Sequence, residues 1–198
     1  LLAASSLLSG AIPVSERNAL IALYNSTGGD SWNNNAGWKD GALEADGFAA
    51  VGTEANWYGV TIENNHVTRL HLDNNQLAGI IPPEIGNLVS LKSLNLGWNQ
   101  LEGNLPPELG NLVNLFELGL WKNKLTGQIP RSFLALENIV CDDGDFYVTG
   151  LQHNGLFNNI PRLKKFLTDK FSYGDVVVWE DTQTIAPAEV SAVSTSFT

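Results

Sequence analysis

The chain has 198 residues, 43% of them apolar and 16% charged, and a formal net charge of −10. Such a composition supports a packed core in a single domain, an elongated one included. The acidic balance argues against nucleic acid or an anionic membrane as the main partner, since both call for a basic face. No apolar run of about 18 residues is present, so no membrane-spanning helix is expected. Cys141 is the lone cysteine, which rules out an intrachain disulfide and any multi-cysteine metal site.

The stretch LLAASSLLSGA precedes the first charged residue, Glu16, and resembles the end of a signal peptide with a small-x-small site at Ser9–Ala11. The expected reading of residues 1–15 is an apolar, uncharged mature terminus of an exported protein, with a cloning artefact as the other reading. SERNALIALYNSTGGDSW then predicts a helix with Ser15 as N-cap, stopped at Gly28–Gly29. Ala19, Leu20 and Leu23 give it an apolar stripe. The sequon Asn25-Ser26-Thr27 within it matters only in a glycosylating host. WYGVTI, at 57–62, reads as a strand.

From Val67 the chain repeats itself. VTRLHLDNNQLAGIIPPEIGNLVS, LKSLNLGWNQLEGNLPPELGNLVN and LFELGLWKNKLTGQIPRSFLALEN follow one another at a spacing of 24. A further unit, FYVTGLQHNGLFNNIPRLKKFL, matches from Phe146 once a seven-residue insertion, Ile139–Asp145, is allowed. Each unit opens with strand-like alternation, and GxIP then forces a turn. Pro82, Pro106, Pro130 and Pro161 lack an amide donor, so that part of each coil is not a ladder strand. Asn75, Asn99, Asn123 and Asn154 form a column and are read as an internal amide ladder that satisfies buried backbone groups at a bend. After Phe166–Leu167, GDVVVWEDTQTI (174–185) reads as a strand closing the last coil, followed by a small, polar tail or an extra strand.

These LxxLxLxxNxLxGxIP units resemble the plant-type leucine-rich-repeat family, over about residues 67–169. The resemblance implies an α/β repeat fold: a short right-handed solenoid with a parallel sheet on its concave face, an N-terminal helical cap and a C-terminal β cap. The boundaries it suggests are an apolar segment 1–15, an N-terminal cap 16–66, four repeats 67–169 with the insertion 139–145, and a C-terminal cap and tail 170–198. WYGVTI is similar to the W-x-G-V strand of the family's cap, but the paired cysteines that usually flank it are missing. That departure points to a bacterial or algal relative, and leaves the cap held by packing of Trp32, Trp38 and Trp57 alone.

If Leu70 and Leu72 point inward, the alternation sends Arg69, His71 and Asp73 outward, then Ser93, Asn95 and Gly97, then Glu117, Gly119 and Trp121, then Val148, Gly150 and Gln152. Asn74, Trp98, Lys122 and His153 come one position later, while Thr68, Lys92, Phe116 and Tyr147 take the second position of each coil. Gly97, Gly119 and Gly150 leave flat ground beside Trp98 and Trp121. The two indoles are read either as an exposed aromatic platform rimmed by Lys122, Glu117, His153 and Gln152, or as packing on each other and on lysine stems. Phe116 and Tyr147 would extend the aromatic surface. The candidate ligand-binding set is therefore Trp98, Trp121, Lys122, Glu117, Arg69, His71, Asp73, His153, Gln152, Phe116 and Tyr147. His71 and His153 stand three coils apart, roughly 14 Å, too far to share a metal. Asp142, Asp143 and Asp145 around Gly144 are a weak calcium candidate without EF-hand spacing, and an acidic turn is the simpler reading.

No nucleophile elbow, phosphate loop or catalytic triad is legible, so no enzyme and no cofactor are expected. The resemblance implies a secreted or cell-surface recognition or adhesion module that binds a protein or polysaccharide on its concave face. The second reading is a structural subunit of an extracellular assembly or filament, self-associating through the uncharged segments 1–15 and 190–198.

Overall fold

A computed structural model describes residues 11–140, 150–151, 154–158 and 161–171. Residues 1–10 and 190–198 of the self-association reading, the strand expected over 174–185 and the aspartates of the insertion lie outside the described residues, while Val14 and Ser15 of the expected apolar segment belong to the first helix.

The chain enters through helix α1, Val14–Ser26. Its N-cap is Pro13, not Ser15, which sits inside the first turn. The physical reason is that the carbonyl of Pro13 already accepts the amides of Glu16 and Arg17 at 3.0 Å each, and proline's fixed φ presets the helical start. The helix ends as expected, with Gly28 in the left-handed region at φ 68°. Ala19, Leu20 and Leu23 are buried, and so are Tyr24, Glu16 and Arg17.

Those two buried charges change how the cap is held. Trp32, Trp38 and Trp57 do pack with Tyr24 and Phe48, with centroids 4.7 Å apart for Trp38–Trp57 and 4.9 Å for Tyr24–Trp32. They are not alone. The Arg17 guanidinium lies 5.1 Å from the Trp57 ring centroid and pairs with Asp46 at 2.9 Å and Glu54 at 2.5 Å. It also donates to the carbonyl of Ala49 at 2.8 Å. Glu16 accepts the amide of Val67 at 2.8 Å and meets His66 Nδ1 at 2.6 Å. One helical turn thus clamps the cap loop on one side and the first repeat on the other.

The repeats form two sheets. The first contains β1 (Val60–Glu63), β2 (His66–His71), β4 (Ser93–Asn95) and β6 (Glu117–Gly119). β1 runs antiparallel at its edge, and the other strands are parallel in a 24-residue register, Leu70 beside Leu94 beside Leu118. A bridge from Gly119 to Gly150 carries this sheet into the fourth coil. Ile139 is fully buried, and the Val140 amide donates to Phe116 O at 3.0 Å just as Phe116 donates to Lys92 O at 2.9 Å. The repeat register therefore runs through Val140 and the added residues follow it. The second sheet contains β3 (Ala78–Gly79), β5 (Gln100–Asn104), β7 (Lys124–Gln128) and β8 (Gly155–Phe157). Its strands precede the prolines, where the sequence suggested only a turn. Pro82, Pro106 and Pro130 then lead into 3-10 turns at Pro83–Asn87, Pro107–Asn111 and Arg131–Ala135, whereas Pro161 opens a full helix, α2 (Pro161–Phe171).

Between the sheets the leucines of every coil are buried, and the asparagine column runs beside them. Asn99 Oδ1 accepts the amides of Asn75 and Leu77 at 3.0 Å each, and its Nδ2 donates to Leu72 O at 2.8 Å and Leu96 O at 3.0 Å. Asn123 repeats the pattern with Leu101 N, Leu96 O and Leu120 O. Asn154 accepts from Leu125 N and donates to Leu120 O and Leu151 O.

Two outcomes follow. Asn99→Ala strands buried amides and carbonyls of two coils, and chemical denaturation should show a loss of about 3 kcal/mol. The Asp46 carboxyl is held below its ordinary value of 3.8 chiefly by the Arg17 hydrogen bonds. Its pairing therefore stabilises the fold fully above pH 3.8 and is lost as the pH falls through the lowered folded value. Asp46→Asn should be less stable than the parent near neutral pH, with the gap closing below pH 3.8 in acid melts.

Candidate functional site

The first sheet presents its outward side chains as rows crossing the coils. Leu70 and Leu72 point into the core, and Arg69, His71 and Asp73 are left wholly or partly exposed, as the alternation requires. On the next strand Ser93 is only 1% exposed, because its neighbours close over it. Ser93 Oγ donates to Glu117 Oε2 at 2.6 Å on one side and meets His71 Nε2 at 2.5 Å on the other. Glu117 is the register partner of Ser93, and His71 lies diagonally across from it. A His–Ser–Glu chain across three strands was not read from the sequence, although all three sit at outward offsets. The serine is in the middle, whereas a hydrolytic relay places the histidine there. Its hydroxyl is spent on both neighbours, so the chain locks the floor of the face.

The paired-indole platform does not form. Trp121 is only 3% exposed. A Cβ built on Gly97 would lie 2.5 Å from its Cε2, so the indole fills the space that the glycine of the neighbouring strand leaves open. The packing reading holds for this residue, with Gly97 rather than a second tryptophan as its bed. Trp121 Nε1 is buried and meets no hydrogen-bond acceptor among the described residues.

Trp98 does remain in solvent, at 48% exposure. The Lys122 ammonium stands 3.5 Å from its ring centroid, within cation–π range. Asn74, Trp98 and Lys122 form a row at the strand ends, joined by the bonds Asn74 N to Gly97 O and Trp98 N to Trp121 O, 3.0 and 2.9 Å. All three have positive φ, 50°, 53° and 52°. Asparagine tolerates that region; a tryptophan and a lysine are held in it at a cost of order 1 kcal/mol each. At the opposite end of the strands Phe116 is exposed and Lys92 pairs with Glu63 at 2.7 Å.

Of the expected site residues, the structure thus brings Arg69, His71, Asp73, Glu117, Trp98 and Lys122 onto one side of one sheet, puts Phe116 at its edge and removes Trp121 into the packing. Gln152, His153, Tyr147, Asp142, Asp143 and Asp145 lie outside the described residues. Among the described residues no group of His, Cys, Asp and Glu is placed to hold a metal ion, and no helix is long and apolar enough to cross a membrane.

Comparison with known proteins adds the family. The family model described as Leucine Rich Repeat matches residues 66–88 and 90–112. No curated protein matches the sequence. Among solved structures, the ectodomain of the receptor kinase SOBIR1 from Arabidopsis thaliana is 27% identical with a TM-score of 0.55, over 78% of this chain and 75% of that one. The ectodomain of the Arabidopsis thaliana membrane receptor kinase GASSHO1/SCHENGEN3, in complex with CASPARIAN STRIP INTEGRITY FACTOR 2, is 28% identical with a TM-score of 0.58, over 78% of this chain but only 17% of that one. A plant ice-binding protein shares the fold, at 24% identity and a TM-score of 0.57, over 80% of this chain and 46% of that one. Taken with the 24-residue register, the parallel pairing of the repeat strands and the asparagine ladder, these likenesses make the chain a leucine-rich-repeat protein of the plant type.

Proposed function

We propose that the chain is a non-enzymatic recognition module of a secreted or cell-surface protein, and that it binds a protein partner on its concave sheet around Trp98. The observation that carries this is Trp98 itself. It is a large side chain half in solvent, held in a left-handed backbone and braced by Lys122, at a position where the repeat demands no particular residue. Tryptophan and arginine dominate the energetics of protein interfaces, and Arg69 stands on the same face. Asp73 and Glu117 bring acidic groups beside the cationic Arg69 and Lys122, which suits a mixed polar partner surface better than a uniformly charged one. The complex of the GASSHO1/SCHENGEN3 ectodomain with CASPARIAN STRIP INTEGRITY FACTOR 2 supports the reading, as a related solenoid holding a second molecule.

The reading is tested by presenting the purified chain to the secreted and surface proteins of its source and measuring the affinity of what it retains. Trp98→Ala should weaken that complex by 30-fold or more, about 2 kcal/mol, with little change in the melting temperature of the free chain. Arg69→Ala should weaken it less. A partner that binds both variants as tightly as the parent would remove Trp98 from the interface and with it this reading.

A further inference from the structure

A cleft of about 610 Å³ runs along the entry ends of the concave strands, from the β1–β2 turn to Asn138 at the end of the third coil. That volume lies in the range of small-ligand sites. It crosses three coil steps, a length of roughly 14 Å at ordinary strand spacing. Phe116, 38% exposed, supplies its aromatic surface. Asn114 and Asn138 stand one coil apart in its lining, each anchored through Nδ2 to a backbone carbonyl, Val89 O at 2.9 Å and Val113 O at 2.8 Å. Their amide oxygens take no hydrogen bond among the described residues. Lys92 and Glu63 line the same cleft and neutralise each other at 2.7 Å. The Lys92 hydrogen bond holds the Glu63 carboxyl below its usual range, so the pair persists through neutral pH. His66 also faces the cleft, with Nδ1 engaged by Glu16.

We propose that this cleft is a binding site for a neutral oligosaccharide. The ligand class follows from what the lining offers and what it withholds. An aromatic ring takes the C–H face of a sugar, and fixed side-chain amides read hydroxyls. The mutual neutralisation of Lys92 and Glu63 leaves no strong attraction for an anionic or cationic ligand. An extended peptide would gain most of its affinity from main-chain hydrogen bonds, and those are spent here. Lys92 N donates to Thr68 O at 2.8 Å, Phe116 N to Lys92 O at 2.9 Å and Val140 N to Phe116 O at 3.0 Å. Recognition in the cleft must run through side chains, which suits a polyol. The cleft is separate from the Trp98 row, which lies at the other end of the strands.

Cellohexaose, xylohexaose, mannohexaose and laminarihexaose are the probes, each titrated into the intact chain by calorimetry and by saturation-transfer NMR. At least one should bind, with an affinity insensitive to salt. Phe116→Ala should weaken that sugar about tenfold, Phe116→Tyr should restore it, and Asn114→Leu should weaken it comparably. Trp98→Ala should leave it unchanged, which keeps this result apart from the protein-binding reading. Phe116 and Asn114 are surface residues, and thermal melts confirm that their variants fold. The proposal is overturned if none of the four sugars binds at millimolar concentration, or if Phe116→Ala leaves binding intact. It also fails if an extended peptide perturbs the Phe116 ring signals when no sugar does.

Discussion

Each coil must turn at the end of its concave strand, and the turn leaves backbone groups in the core with no sheet partner. The asparagine column answers that need from the neighbouring coil. Asn99 satisfies the amides of Asn75 and Leu77 and the carbonyl of Leu72, all of which belong to the repeat before it. A coil is therefore complete only when the next one is in place, which is the physical basis of nearest-neighbour cooperativity in a solenoid. The column needs an end as well as a middle. Asn75, its first member, accepts the amide of Asn34 at 2.7 Å and donates to Asn34 O at 2.9 Å. The N-terminal cap thus docks by supplying the backbone groups that a preceding coil would have supplied.

The same bend shapes the surface. Making the turn puts positions 74, 98 and 122 in the left-handed region whatever residue occupies them. The scaffold chooses the conformation and leaves the side chain open, so a tryptophan and a lysine stand where asparagine would be the easy choice. Their stacking offsets part of the backbone cost, by about 0.5–1 kcal/mol for a cation–π pair in solvent. The pair is rigid because the ladder beneath it is rigid, and a rigid anchor loses little conformational entropy when a partner arrives.

Much of this was legible in the sequence because it repeats. The 24-residue period exposed the concave strands, the asparagine column and the inward leucines, and the same offsets placed Arg69, His71 and Asp73 outside. What was hidden depends on pairs that the period does not link. Arg17, Asp46 and Glu54 are far apart in the chain and occur once each in the cap, so their ion pairs left no pattern and the cap looked as though tryptophan packing held it alone. The burial of Trp121 is decided by Gly97, 24 residues earlier, where the absent side chain makes room for the indole. Alternation reports which way a residue points and is silent on whether its neighbour leaves space. The second sheet was missed for a related reason: QLEGN and KLTGQ each carry a single apolar residue, too little alternation to mark a strand.

The two proposed sites divide the concave sheet between its ends, and the division follows from how each end is built. At the exit the backbone is bent by the ladder, and side chains are splayed into solvent as separate anchors, which favours a broad partner that can surround them. At the entry the strands meet the loops that bring the chain up from the 3-10 turns. There Asn114 and Asn138 tie each loop to the one before it, through Val89 O and Val113 O. Those bonds fix the loops as the walls of a trough, which favours a narrow ligand that lies within it. Between the two ends, the His71–Ser93–Glu117 chain consumes the polar groups of the floor and ties three strands together. A perturbation at one end must cross that fixed floor and the ladder beneath it to reach the other. The two sites should therefore load independently, since neither occupant has a flexible element through which to bias the other.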